Sequence, residues 1–515
     1  MKTYNRKYFI AIAVTLLCLV AFIPVCFIYH EAHTGQVFDA NDLSWFTLTD
    51  KADGYTLPYD TEKDVFYCPV HEDLGGQDIE IPFLIHTGGE AVTAKTQTVH
   101  VDFSESVVVV AERSGKEVRL PVQFTALPMV TVSMKTEENL LLPEEEKKAT
   151  IGIIDPYHSP KYIENKAFFR LRGTSSLENP KRNYRITFIN AMETEMRFSV
   201  LGMQESEKWA LDAMYSDPSK IRNKLSSDLW NETNRGDNIP LVYNHLGTEY
   251  CEVFMNGKLH GLYTIAEPAT RRNLPVDKGI GLMVEGVSDE TANYDEPGDL
   301  TTAFWGGFEM KYPADRFRNE WEFFISRMAS LSSETRDAKV YFPEYFYENN
   351  YIDNYLFLNF IDGSDNEKKN LLIAIRNRDT DMRMFLTPWD FDYSFGLRWH
   401  DANGDGIVNE TAGEKYYEDY RILRSLFGTS EQIFANSFYR NIMKQRGVAL
   451  LNTVYSKEKT DAMIDVYVKK LMSSGAVLRD QMLWGSYDIE AEAEEIKAYA
   501  ELRREFMHTY LESLE

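Results

Sequence analysis

The sequence NFIDGSDNEKKNLLIAIRNRDTDMRMFLTPWDFDYSFG, residues 359–396, carries most of what this chain reveals about its fold. Asp365 stands five residues before Asn370, and the apolar run LLIAI that follows predicts a buried strand. A polar turn and a second apolar run then predict a hairpin. The second run ends at Asp390 and Asp392, so the hairpin is expected to bring two acidic clusters into one site.

The order of these residues resembles the layout of protein kinases. There, a catalytic Asp is followed by a metal-binding Asn, two short strands and a metal-binding Asp before Phe. ATP arrives with divalent cations that need hard oxygen ligands, and an acceptor hydroxyl needs a carboxylate to take its proton. Gly363-Ser364 replaces the His-Arg pair that precedes the catalytic Asp of ordinary kinases, which leaves Asp362 as a rival for the base.

Length and charge restrict the classes of partner. A chain of 515 residues is long enough for two or more domains. Its net charge of −25 argues against nucleic acid and favours a basic protein as the partner.

Residues 8–29 form an uncharged apolar run that is preceded by Lys2, Arg6 and Lys7. The run is long enough to span a bilayer, and its positive flank places the N-terminus inside. We therefore predict an uncleaved signal anchor, with the rest of a single-pass protein outside the membrane. The alternative is a cleaved signal peptide.

Residues 38–126 alternate apolar and polar side chains, which predicts a small all-β, Ig-like module that serves as a spacer. Outside the apolar run the chain has the cysteines Cys68 and Cys251. Their spacing gives no support for a disulfide, so buried free thiols are expected.

Helices are predicted over 315–332, 343–361 and much of 416–512, with a loop over 268–307. A further helix is expected to begin near Asp217-Pro218, with Arg222 in a surface salt bridge.

Five motifs from residue 127 onward occur in an order that closely resembles the spore-coat protein H (CotH) kinase family. They are FFRLRGTSSLENPKRNYRITF (168–188), WALDAMYSDPSKIRNKLSSDLW (209–230), YCEVFMNGKLHGLYTIAEP (250–268), FEMKYP (308–313) and PWDFDYSFG (388–396). The resemblance covers about residues 127–512. Asn256-Gly257 within the third motif also predicts a type I′ hairpin turn.

The resemblance implies an α+β, atypical protein-kinase-like fold and transfer of the γ-phosphoryl of ATP, with Mg²⁺ or Mn²⁺, to Ser or Thr. The acceptor would be a basic, Ser-rich protein outside the membrane or on a spore or cell surface. Asp365 would be the base, and the metal ligands would be Asn370, Asp390 and Asp392. The nucleotide would contact Arg172, Ser175, Lys181, Arg185 and Glu267, and strand alternation would place Lys181 and Arg185 on one face.

Two other classes of function remain open. A surface adhesin or scaffold could use a kinase-like fold for binding alone, although it would not need Asp365, Asn370 and Asp390 together. A glycoside hydrolase could use Asp365 and Asp390 as its carboxylate pair, but the Asn and the cationic loop would then have no purpose.

The segment DANGDGIVNETAGE, residues 401–414, resembles an EF-hand-like calcium loop. Asp401, Asn403 and Asp405 occupy its first ligand positions, and Ile407 would offer a backbone carbonyl. Ala412 stands where a bidentate carboxylate is needed. This pattern predicts a weak calcium site, with an ion-free turn as the alternative.

Overall fold

The structure is a computed structural model that describes residues 42–113, 115–134, 145–173, 175–234, 246–288, 290, 292–400, 406–409 and 433–514. Within these ranges, no helix has both the length and the apolar character needed to cross a membrane. Residues 8–29 lie outside the described residues, so the signal anchor stays a prediction.

The N-terminal part of the described chain is built of strands. They are β1 (Phe46–Asp50), β2 (Tyr59–Asp60), β3 (Val65–Pro69), β4 (Asp78–Glu80), β5 (Phe83–Thr87), β6 (Glu90–Ala94), β7 (Thr98–His100), β8 (Val107–Arg113) and β9 (Lys116–Thr125). Seven of them form one sheet in the order β1-β5-β6-β8-β9-β3-β2, and β4 pairs with β7. The alternating apolar residues of β9 are buried, because one face of the sheet packs on a core.

A closed seven-stranded barrel follows. Its strands are β10 (Met129–Met134), β11 (Glu146–Ile154), β12 (Tyr162–Arg172), β13 (Asn183–Phe188), β14 (Lys208–Asp212), β15 (Thr248–Met255) and β16 (Lys258–Ala266). A parallel pairing of β10 with β15 closes the ring. Asn256 and Gly257 join β15 to β16 with φ of 48° and 78°, as a type I′ turn requires.

A second, five-stranded sheet has the order β18-β19-β17-β20-β21. Its strands are β17 (Leu282–Gly286), β18 (Phe304–Trp305), β19 (Phe308–Tyr312), β20 (Leu371–Asn377) and β21 (Asp381–Pro388), and a separate ribbon pairs β22 (Leu397–His400) with β23 (Gly406–Asn409). β20 and β21 form the hairpin that the sequence predicts. The loop prediction for 268–307 was wrong in part, because β17 lies buried at the centre of this sheet.

Helices pack on the second sheet and, in the case of α7, on strand β16 of the barrel. They are α1 (Arg222–Thr233), α2 (Arg318–Ser332), α3 (Ala338–Tyr345), α4 (Glu348–Ile361), α5 (Ser437–Leu451), α6 (Lys457–Ser473), α7 (Ala476–Trp484) and α8 (Ile489–Ser513). The apolar stripe of α8 is buried in the main core, which it shares with α4 and the second sheet. The protein is therefore of the α+β class.

Helix α1 begins at Arg222, not near Asp217 as predicted. Lys220 has a φ of 57°, in the left-handed region, and cannot continue a right-handed helix. The Asp217 carboxylate accepts hydrogen bonds from the backbone N–H groups of Ser219, Ile221 and Arg222. The predicted surface salt bridge of Arg222 was also wrong, because its side chain is 1% exposed and pairs with Asp217 at 2.7 Å.

One side of the barrel packs into the core of the N-terminal sheet, while the barrel interior forms a core of its own. Met129, Ile154, Phe254 and Leu259 of the barrel pack among the apolar residues of the N-terminal sheet. Cys68 and Cys251 are buried free thiols, as predicted. This part of the chain therefore packs directly on the barrel, and its role as a spacer stays a prediction.

Arg479 of α7 ties three parts of the molecule together. Its guanidinium forms a two-pronged ion pair with Glu252 of β15, both contacts at 2.8 Å. It also donates to Phe103 O at 2.9 Å and to Thr125 Oγ1 at 3.0 Å. Both charges of the pair are buried, and each is satisfied by the other.

We expect Arg479→Met to lower the free energy of unfolding by about 3–5 kcal/mol, because it leaves the Glu252 carboxylate buried without its cation. Urea unfolding monitored by circular dichroism measures the loss. The double variant Arg479→Met/Glu252→Gln should recover much of it. At Arg336, which is 45% exposed and pairs with Glu334 and Glu344, the same change should cost much less, because water screens an exposed pair. Equal losses at the two arginines would contradict the burial argument.

Candidate active site

A cleft of about 800 Å³ lies between the barrel and the second sheet. This volume falls within the range of known small-molecule sites. Strands β12 and β13 supply one wall, and β17 and β19 supply the other. The cleft is also lined by the predicted site residues Asp365, Asn370, Asp390 and Asp392.

Asp365 sits on a short 3₁₀ turn, Ser364–Asn366, just after α4. Its carboxylate accepts a hydrogen bond from Asn370 Nδ2 at 2.9 Å and pairs with Lys369 Nζ at 3.0 Å. Asn366 Nδ2 donates to Trp389 O at 2.7 Å, which links the Asp365 turn to the segment of Asp390. The two acidic clusters thus meet at the end of the β20–β21 hairpin.

The rival residue Asp362 has a different environment. It caps the C-terminus of α4 in the left-handed conformation, with a φ of 54°. Its carboxylate forms an ion pair with Arg398 and accepts a hydrogen bond from the Tyr499 hydroxyl of α8. Asp362 does not line the cleft, so Asp365 is the better placed of the two carboxylates.

Asp390 and Asp392 lie among like charges. The pKa of Asp390 is raised to about 6, mainly by burial. The charge of Arg172 opposes this rise, and the charges of Asp212 and Asp365 add to it. Burial raises the pKa of Asp392 well above its usual range, and the charges of Asp212 and Asp390 raise it further. A buried group of carboxylates is stabilised in its charged form by a cation.

The donors in this group fit a divalent metal ion such as Mg²⁺. Asp392 Oδ1 is buried and has no hydrogen-bond partner among the described residues. Asn370 uses its Nδ2 on Asp365, which leaves its amide oxygen as the atom able to bind a cation. In the described part of the chain, no group of three or more His, Cys, Asp or Glu side chains is placed as a cage that could hold a metal ion. Mg²⁺ needs no such cage, because it commonly takes one or two carboxylates together with phosphate oxygens and water.

The opposite wall of the cleft is cationic. Arg170 and Arg172 of β12 and Arg185 of β13 line it, and Arg170 is paired with Arg185 in the strand register. Burial, together with the charges of Arg170 and Arg172, lowers the pKa of Arg185 to about 10. The Arg172 guanidinium lies 4.9 Å from the centre of the Trp389 ring. Neighbouring guanidiniums of this kind bind phosphate well.

Lys181 does not lie in this wall, contrary to the prediction. β13 begins only at Asn183, so strand alternation does not extend to residue 181. The Lys181 ammonium is buried, donates to Leu262 O, and pairs with Asp480 Oδ1 of α7 at 2.8 Å. Burial lowers its pKa to about 8. The structure therefore separates Lys181 from Arg172 and Arg185.

His260, beside Lys181, makes the unfolding free energy depend on pH. Burial, together with the nearby Lys181 charge, lowers its pKa from 6.5 to about 4. Between these values the unfolded chain binds a proton that the native imidazole does not. The free energy of unfolding should therefore fall, by up to about 3 kcal/mol, as pH drops from 6.5 to 4.

Urea unfolding of wild type and His260→Gln at several pH values measures this dependence. We expect the variant to lose that part of the pH response, whereas His508→Gln on the exposed face of α8 keeps it. Parallel pH curves for wild type and His260→Gln would exclude the effect.

Glu267 and Ser175 were also predicted to contact the nucleotide. Glu267 lines a smaller pocket that adjoins the cleft and shares Arg172 and Asp390 with it. Its carboxylate accepts from the backbone N–H groups of Gln204 at 2.6 Å and Gly247 at 2.9 Å. These bonds make it a structural link between loops. Ser175 begins a short 3₁₀ helix, and its side chain lies outside the described part.

The calcium-loop prediction falls mainly on residues that the structure does not describe. Asp401, Asn403 and Asp405 lie outside the described residues. Ile407 lies on β23, where its backbone pairs with Trp399 of β22. The calcium site stays a prediction.

Sequence reasoning missed Asp212 and Asn223. Asp212 ends β14 and lines the smaller adjoining pocket together with Asp390. Asn223 lies on α1, and its Nδ2 donates to Asp212 Oδ2 at 3.0 Å. Both residues fall inside the second quoted motif, but spacing alone did not indicate that they meet.

Comparisons with known proteins agree with the motifs. A family model described as CotH kinase protein matches residues 169–507. The chain is also similar to the inner spore coat protein H of Bacillus subtilis (strain 168), with 24% identity over 407 residues. That alignment covers 74% of this chain and 100% of the relative.

Proposed function

The chain belongs to the CotH family, and from this membership we propose that it is an atypical protein kinase. It transfers the γ-phosphoryl of ATP to a Ser or Thr hydroxyl of a protein. The observation that carries the proposal is the meeting of Asp365, Asp390 and Asp392 in one cleft, opposite the guanidiniums of Arg172 and Arg185.

Each side chain has a role in this reaction. Asp365 orients the acceptor hydroxyl and takes its proton as the oxygen forms a bond to the γ-phosphorus and the bond to the β-phosphate oxygen breaks. Lys369 and Asn370 hold the Asp365 carboxylate in place. Arg172 and Arg185 bind the phosphate charge, and this binding replaces the role first expected of Lys181.

Asn370, Asp390 and Asp392 would hold Mg²⁺ or Mn²⁺. A bound ion supplies charge neutralisation for the phosphate oxygens and a fixed orientation for them. The buried Asp392 Oδ1 without a hydrogen-bond partner among the described residues supports this role. Glu267 would act indirectly. Its hydrogen bonds join two loops, and these loops would shape the nucleotide pocket.

The acceptor is a basic, Ser-rich protein, because the chain has a net charge of −25. The relative from Bacillus subtilis is named as an inner spore coat protein. We accordingly place this protein at a spore or cell surface, anchored through residues 8–29 with the remaining chain outside the membrane.

The direct test incubates the full chain with γ-labelled ATP, Mg²⁺ or Mn²⁺ and a basic, Ser-rich protein. We expect label on Ser or Thr of the acceptor. Nucleotide binding without any transfer, to the acceptor or to the chain itself, would refute the proposal and favour a binding module that uses the same fold.

A further inference from the structure

Asp212 and Asn223 lie at the two ends of the connection from β14 to α1 and meet in the smaller pocket that adjoins the cleft. Asn223 Nδ2 donates to Asp212 Oδ2 at 3.0 Å. Asn223 Oδ1 accepts a hydrogen bond from the backbone N–H of Phe391 at 3.2 Å. These two contacts require a donor on one side of the amide and an acceptor on the other.

Asp212 is itself held firmly. Its second oxygen, Oδ1, accepts from the Met214 N–H at 3.0 Å. The Lys220 ammonium donates to Met214 O at 2.8 Å, and Tyr250 OH donates to Lys220 O at 2.8 Å. Both oxygens of the Asp212 carboxylate are thus occupied by protein donors, one from the loop and one from α1.

Helix α1 also contacts residues 391–394 at two points besides Asn223. Arg222 Nε donates to Ser394 O at 3.1 Å, and the hydroxyls of Ser226 and Ser394 lie 3.1 Å apart. Together with Asn223, these contacts hold both ends of residues 391–394 against α1. Phe391 stands between Asp390 and Asp392, so the Asn223 contact falls at the centre of the acidic segment.

We propose that Asp212 and Asn223 form a positioning pair for the two aspartates. Asp212 orients the Asn223 amide, and Asn223 fixes the Phe391 N–H and with it the flanking carboxylates. The inference rests on the proposed function, since it assigns the pair to the metal-binding segment of the kinase site. Neither residue contacts the reacting atoms in this scheme.

A reciprocal exchange tests the pair. In Asn223→Asp, two carboxylates face each other and the Nδ2 donor to Asp212 is lost. In Asp212→Asn, two amides face each other, and they cannot bond to each other while the contact with Phe391 N–H is kept. Either single change should lower kcat by about 100-fold, because small displacements of reacting groups have effects of this size. In the double variant, the new Asn at 212 accepts from Met214 N–H and donates to the new Asp at 223, which accepts from Phe391 N–H.

The exchange preserves every hydrogen bond of the pair and moves only its negative charge. We expect the double variant to transfer phosphate within about 10-fold of wild type, since the geometry that these bonds maintain is restored. A double variant as inactive as the single variants would overturn the proposal, because Asp212 would then act through the position of its own carboxylate. Single variants with wild-type kcat would overturn it as well.

Mn²⁺ binding, followed by electron paramagnetic resonance, gives a readout that does not need turnover. The affinity should fall in both single variants and return in the double variant. If wild type binds Mn²⁺ in this pattern but transfers no phosphate, the pair keeps its role and the kinase assignment fails. Unchanged Mn²⁺ affinity in folded single variants would refute the pair alone.

Melting temperatures show whether each variant folds. If a single variant does not fold, Asn223→Ser, which removes both contacts with a smaller side chain, takes its place. Its Mn²⁺ affinity should also fall, and wild-type affinity in Asn223→Ser would overturn the proposal.

Discussion

Asp390→Asn is expected to reduce phosphoryl transfer by more than about 100-fold while the protein stays folded. In the proposed reaction the Asp390 carboxylate binds the metal ion that stabilises charge on the transferring phosphate, and losses of this size are usual when such a group is removed. Initial rates at saturating ATP, with both Mg²⁺ and Mn²⁺, measure the effect.

The melting temperature separates this loss from misfolding. Burial and the neighbouring carboxylates raise the pKa of Asp390 to about 6, so its charged form is disfavoured in the metal-free protein. Above that pH, a neutral Asn should keep or raise the melting temperature in the presence of a chelator. Near-normal turnover in a folded Asp390→Asn protein would refute the metal assignment.

Asp365→Asn should lower kcat by about 10²–10⁴-fold, which is the usual contribution of a positioned general base. Lys369, its ion-pair partner, is 36% exposed, so the loss of the pair should affect stability little. Initial rates at saturating ATP and acceptor measure this loss.

Asp362→Asn is the matched control, because Asp362 is only three residues away and was the rival base. It joins Arg398 and Tyr499, so its replacement should lower the melting temperature and leave most of kcat. The reverse pattern, with activity lost at Asp362 and kept at Asp365, would assign the base to Asp362.

Local patterns predicted the parts of the site that lie close together in sequence. The hairpin of 371–388 follows from two apolar runs and one polar turn, and its register brings Asp365 and Asp390 into one cleft. The Asn256-Gly257 turn is equally local, because the two residues themselves favour positive φ. Such features depend on neighbours within a few residues.

The remaining features depend on contacts between distant segments. Lys181 was misplaced because the start of β13 is set by its partner strands, and the buried pairing with Asp480 of α7 joins residues 299 positions apart. The meeting of Asp212 with the Asp390 segment likewise requires α1 to pack beside it. No periodicity in a single segment encodes these distances.

The closed barrel also restricts how a partner protein can bind. Each of its seven strands has a partner strand on both sides, although β14 and β16 pair over only three residues. Beyond them, Asp480 and Trp484 of α7 bond to the backbone of β16, so the described barrel offers no free edge to which an extended peptide could add as a further strand. Recognition of an acceptor through the barrel must therefore use side chains, and specificity would be read from residue chemistry rather than from main-chain pairing. The same closure removes the barrel strands from edge-to-edge pairing between copies, so such pairing would have to use the open sheets, whose edge strands are β1, β2, β18 and β21.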